Sequence, residues 1–229
     1  MIKSLPALSI AAVFSTLLGC TSLPAAREVA QQACQPSFAE KSLNLVHAQS
    51  ATIPEAPKVT FNLDGANLEV RFEITMDPSK IYAKEKFGNE EYPYQFDVAE
   101  VFLKVSDAPA SKMTYHEFEI TPLNQSLQIK IDVKGGKKTF SASEEILATT
   151  AAQITETGWS AKFSIPLEKF GWKGLSASVT GNAFVIIGKP NLKTYWALEL
   201  PPQTKPSFHM PEHFVELLPV CADVKDQSN

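Results

Sequence analysis

The residues from Val98 to Val105 constrain the fold of this chain more than any others. They read Val-Ala-Glu-Val-Phe-Leu-Lys-Val, and neither Gly nor Pro interrupts the run from Gln95 to Val105. A strand turns successive side chains to opposite faces. Ala99, Val101, Leu103 and Val105 then share one face, and Val98, Glu100, Phe102 and Lys104 the other. One face is wholly apolar and the other mixed, as expected of a strand central in a sheet that packs against a second layer. Immediately upstream, Tyr92, Pro93, Tyr94 and Asp97 form a loop that delivers aromatic rings to one end of the strand. Loops held on a rigid strand in this way commonly build binding sites.

Further strands follow at short intervals with turn signals between them. Leu68, Val70, Phe72 and Ile74 alternate with Glu69, Arg71, Glu73 and Thr75, and Trp159, Ala161, Phe163 and Ile165 with Ser160, Lys162 and Ser164. Strict alternation of this kind marks a half-buried strand. Residues 114–121 and 127–133 alternate likewise, joined by a turn at Asn124, and Gly135-Gly136 ends the second. Ala183–Ile187 is a continuous apolar run, a strand covered on both faces. Residues 140–157 fit either a short helix or an edge strand. About eight short strands, long loops and little helix predict an all-β, antiparallel β-sandwich, with a closed lipocalin-like barrel as the alternative.

The N-terminus reads as an export signal. Residues 5–18 are an apolar run too short to cross roughly 30 Å of hydrocarbon. The run ends in Leu17-Leu18-Gly19-Cys20, which resembles the lipobox of bacterial lipoproteins, in which the Gly–Cys bond is cut and the cysteine is lipidated. The predicted organisation is a signal peptide at 1–19, a lipidated tether at 20–57, a sandwich at 58–221 and a tail at 222–229, with the mature protein anchored at the outer membrane. Export puts Cys34 and Cys221 in an oxidising compartment, where a pair of this kind tends to form a disulfide.

Composition and motifs narrow the function. A formal net charge of −4 argues against a nucleic-acid partner, which requires a basic face. No Gly-x-Ser-x-Gly or phosphate loop occurs, and no Cys/His cluster or dense acidic loop predicts a metal site. Glu100, Glu117 and Glu119 invite a glycosidase reading, which needs two carboxylates flanking one bond. They lie within strands beside Lys104 and Lys130, so the expectation is cross-strand charge pairs on a solvated sheet face, and a non-enzyme.

Three motifs, in order, carry a resemblance. They are Tyr94-x-x-Asp97-Val98-x-Glu100-Val101-Phe102-Leu103, then Gly158-Trp159 through Pro166, then Trp196 through Phe208-His209-x-Pro211-Glu212-x-Phe214. Over residues 58–218 the chain resembles family 9-like carbohydrate-binding modules, relatives of the DOMON sandwiches that bind sugars or haem. The resemblance implies a jelly-roll-like or DOMON-like sandwich that grips an oligosaccharide or polysaccharide between two aromatic rings. Tyr94 and Trp196 match those ring positions. Lys84, Gln95, Asp97, Lys189 and His209 flank them as polar partners, with Lys189 standing where the family carries an Arg, and Trp172 is a further ring. The function implied is non-catalytic sugar binding by an envelope lipoprotein, in support of polysaccharide catabolism or glycan capture. No cofactor is expected, although the family admits structural calcium. The alternatives are a haem b electron-transfer protein, with Met76, Met113, His116, His209 and Met210 as candidate ligands, and a structural envelope module with a vestigial pocket.

Overall fold

The computed structural model describes residues 40–105, 112–142, 147–174 and 177–218, all within the compact unit that runs from Gln35 to Asn229. The signal peptide, Cys20 and the Cys34–Cys221 pair lie outside the described residues. Thirteen strands are described, namely β1 (Lys41–Ser42), β2 (Asn44–Ala48), β3 (Lys58–Asp64), β4 (Asn67–Thr75), β5 (Val98–Lys104), β6 (Lys112–Ile120), β7 (Ser126–Lys134), β8 (Lys137–Ala142), β9 (Thr149–Thr155), β10 (Gly158–Pro166), β11 (Val179–Ile187), β12 (Thr194–Ala197) and β13 (Val215–Leu218). The described helices are single 3-10 turns.

Two antiparallel sheets form the sandwich. One runs β1-β3-β4-β10-β9 and the other β2-β12-β11-β5-β6-β7-β8, with β13 on the β12 side of β11. Both sheets end in edge strands, which distinguishes this architecture from a closed barrel. β5 lies between β11 and β6, as its two-sided pattern requires. The segment 140–157 supplies strands on both sides of residues 143–146, which lie outside the described residues. The stretch 40–57, expected to be tether, instead contributes β1 to one sheet and β2 to the other. These strands, of two and five residues, are too short to show a period.

The inner core follows from the alternation. Val59, Phe61, Leu68, Val70, Phe72, Ile74, Trp159, Ala161, Phe163 and Ile165 meet Ala99, Val101, Leu103, Phe118, Ile120, Ala183, Val185 and Ile187 from the facing sheet. A second apolar layer covers the other face of the β5 sheet. There Val98, Phe102, Tyr115, Ile131, Phe184 and Ile186 pack under Leu200, Phe208, Met210 and Phe214, from an irregular segment that returns across the sheet. Phe184 and Phe208 stack with centroids 4.1 Å apart. Asn182, fully buried on β11, holds that segment down. Its Nδ2 donates to the Glu199 carbonyl at 2.6 Å, and its Oδ1 accepts from the Glu199 N–H at 3.2 Å.

Candidate functional site

The polar cluster lies on this covered outer face. Alternation along β5 and β6 turns Glu100, Glu117 and Glu119 outward, and register sets Glu100 opposite Glu119 and Phe102 opposite Glu117. The three side chains are buried, at 2%, 4% and 0% exposure, where a solvated row of charge pairs was expected. The difference arises because alternation tells which face a residue occupies but not what later lies on that face. One carboxylate oxygen from each residue lies within 4.8 Å of the other two. Neither oxygen of Glu119, nor Oε2 of Glu117, makes a hydrogen bond of good geometry, although the Tyr94 N–H and the Glu117 carboxyl lie close to Glu119. Burial, followed by repulsion between the carboxylates, pushes Glu100 and Glu119 well above the ordinary carboxylate range. Burial raises Glu117 to about 7.

Lys193 is the cation of this region, and it leaves no local signal in the sequence. It sits at 8% exposure just before β12, and its ammonium donates to the Tyr94 carbonyl at 2.7 Å. Its charge acts on Glu100, Asp97 and Glu119, while its own burial lowers its pKa.

Over the cluster lies the loop from Tyr82 to Asp97. It is built from rings, with Phe96 stacked on Tyr82 at 5.1 Å and on Phe87 at 5.2 Å. Its single 3-10 turn, Pro93–Gln95, packs on β5 and β6 and brings the Tyr94 backbone N–H toward Glu119. Tyr92 and Tyr94 stack nearly parallel, with centroids 5.5 Å apart and 7° between planes, and each is 43% exposed. Asp97 anchors the loop, accepting from the N–H groups of Tyr82 at 3.0 Å and Gly188 at 2.6 Å. Gly188 has φ +110°, a left-handed backbone that favours glycine at this contact.

The remaining expected residues are dispersed. Trp196 is 5% exposed and belongs to the inner core. It pairs with inward-facing Val185, so the sheet itself separates it from Tyr94, and the two rings do not share a cleft. Strand position gave Trp196 the right element, but its face was decided by the β11 register. The outward ring of β12 is Tyr195, which meets Phe208 edge-on. Trp172 packs partly buried against the inner core. Lys84 is ion-paired to Glu91 at 2.7 Å within the loop, and Gln95 accepts from the Tyr92 N–H at 3.2 Å. Lys189 is exposed on the β11–β12 turn.

His209 does reach the outer face. Its Nδ1 lies 3.1 Å from the Tyr115 hydroxyl and its Nε2 3.8 Å from Glu117 Oε2. Burial, helped by Lys138, lowers its pKa to about 4, so it is neutral at pH 7. The haem candidates are divided between the two faces of the β5 sheet, with Met113, His209 and Met210 on the outer face and Met76 and His116 on the inner. Met113 belongs to the outer layer, whereas His116 packs on Phe170 on the other side of the same strand. Met76 lies against the inner core, and Met210 Sδ accepts from Gln203 at 3.4 Å.

The arrangement thus presents two exposed rings above a buried group of carboxyls, a lysine and a neutral histidine. Rings supply a flat apolar platform, and carboxyl groups that hold protons can both donate and accept hydrogen bonds.

No family model matches the chain, and no curated protein sequence matches it. Solved structures do. A protein from Bacteroides uniformis ATCC 8492, assigned as carbohydrate-binding, superposes with TM-score 0.60 over 86% of this chain and 93% of its own, at 13% identity. A family 9 carbohydrate-binding module from Caldicellulosiruptor kristjanssonii in complex with cellotriose gives TM-score 0.49 over 76% of this chain and 80% of its own, at 16% identity. A glucose complex of such a module from the same organism gives TM-score 0.48 over 76% and 81%, at 17% identity. At these identities the likeness is one of fold.

Proposed function

We propose that this protein binds carbohydrate without transforming it, through the Tyr92–Tyr94 platform over the outer-face cluster. The observation that carries the reading is the pair of stacked rings, each 43% exposed, with Tyr94 close enough to Glu119 and Glu117 to feel their charge. Sugars offer faces of C–H groups to flat rings and hydroxyls to the polar groups beside them. The shared fold with the Bacteroides uniformis protein supports the same reading. Binding without hydrolysis is favoured because glycosidase carboxyl pairs stand about 5–9.5 Å apart around one bond, with water between them in the inverting class. Here three carboxyls gather in one buried group instead of standing as a pair across an open cleft.

The export signal extends the proposal to an outer-membrane lipoprotein that captures oligosaccharide or polysaccharide for catabolism. The purified protein applied to an array of oligosaccharides should retain a restricted set of related sugars. Retention of none, by folded protein, would remove this function.

A further inference from the structure

We propose that Glu100, Glu117 and Glu119 bind one hard divalent cation of the calcium class. The site is assembled across two strands, with Glu100 on β5 facing Glu119 on β6 and Glu117 two residues along the same face. One oxygen from each of the three lies within 4.8 Å of the other two. Calcium–oxygen distances are about 2.3–2.6 Å, so ligands on opposite sides of one ion stand roughly 5 Å apart, and a single ion can touch all three. The donors are all carboxylate oxygens, the set that selects hard cations over soft ones.

A second observation points to a ligand here. Glu119 is completely buried, yet neither of its oxygens makes a hydrogen bond of good geometry, its polar neighbours being the Tyr94 N–H and the Glu117 carboxyl, and Oε2 of Glu117 makes none either. Buried carboxylates are otherwise paired or coordinate a metal. Lys193 offsets one of the three negative charges and is held by the Tyr94 carbonyl. Because Lys193 also faces Asp97, the ionised cluster keeps a negative excess that a divalent cation offsets better than a monovalent one. No acidic loop marks the site in the sequence, because these ligands come from separate strands.

The test uses the purified full chain, stripped with EDTA and free of sugar. It is titrated calorimetrically with CaCl2, and in parallel with MgCl2 and MnCl2, and its thermal unfolding is followed with and without each salt. One ion should bind per chain, and at about a hundredfold excess over Kd the Tm should rise by about 5–10 °C. Glu119→Gln keeps the shape and removes one charge. It should unfold no earlier than the stripped wild type and should lose at least about tenfold in affinity. If that variant does not fold, Glu100→Gln carries the same expectation. The proposal is overturned if the folded wild type shows neither heat nor a Tm shift with any of the three cations, or if the folded variant binds as tightly as wild type. A sugar titration in EDTA tests the carbohydrate reading separately, so the failure of either claim is distinguishable.

Discussion

Asp97 shows what a single buried residue contributes. It is fully buried, and it joins the ring-bearing loop to the β11–β12 turn through the Tyr82 and Gly188 N–H groups. Burial raises its carboxyl from 3.8 to about 6, although both N–H donors and Lys193 pull the other way. An acid with a raised folded pKa binds its proton more tightly in the folded state. Its contribution to stability is therefore greatest below about pH 3.8 and is lost as pH rises through about 6. That interval is worth about 3 kcal/mol. In urea unfolding, the stability of wild type relative to Asp97→Asn should fall by about 2.4 kcal/mol between pH 4 and pH 7, since part of the interval lies below pH 4. A difference that stays constant with pH would contradict the assignment.

At the scale of elements, the covering segment decides how the site differs from its sequence. Alternation made β4, β5 and β10 legible, and it correctly placed Glu100, Glu117 and Glu119 on one face. It could not show that residues 199–214, irregular and rich in proline, would fold back over that face. A signal for burial was nonetheless present, since the neighbours of the glutamates on that face, Val98, Phe102 and Tyr115, are apolar or aromatic. Trp196 was assigned to a ring position by resemblance, and register turned it to the inner core instead. Lys193 lies in a turn without any pattern. The dependence on the covering segment is measurable. Asn182→Ala leaves the Glu199 carbonyl and N–H without their partner, and should cost about 2–4 kcal/mol in denaturant unfolding, since each buried unsatisfied group costs about 1–3. A loss under about 0.5 kcal/mol would mean that the segment is held by its apolar side chains alone.

For the whole molecule, the proposed anchoring and the proposed binding are separable. Cys20→Ser should move the protein from the detergent phase to the aqueous phase on phase partitioning. A mature Cys20→Ser protein still in the detergent phase would contradict the lipid anchor. The proposed Cys34–Cys221 disulfide should appear in non-reducing mass spectrometry as the loss of two thiols, and two free thiols would refute it. The central claim is sugar capture on the tyrosine platform. Its most direct measurement is calorimetric titration of wild type and Tyr94→Ala with the strongest sugar from the array. Tyr94 is 43% exposed and lies outside both apolar layers, so the variant should keep nearly the wild-type Tm. Its affinity should fall by about thirtyfold, the loss of an anchor worth roughly 2 kcal/mol. Unchanged affinity in a folded Tyr94→Ala protein would contradict the claim.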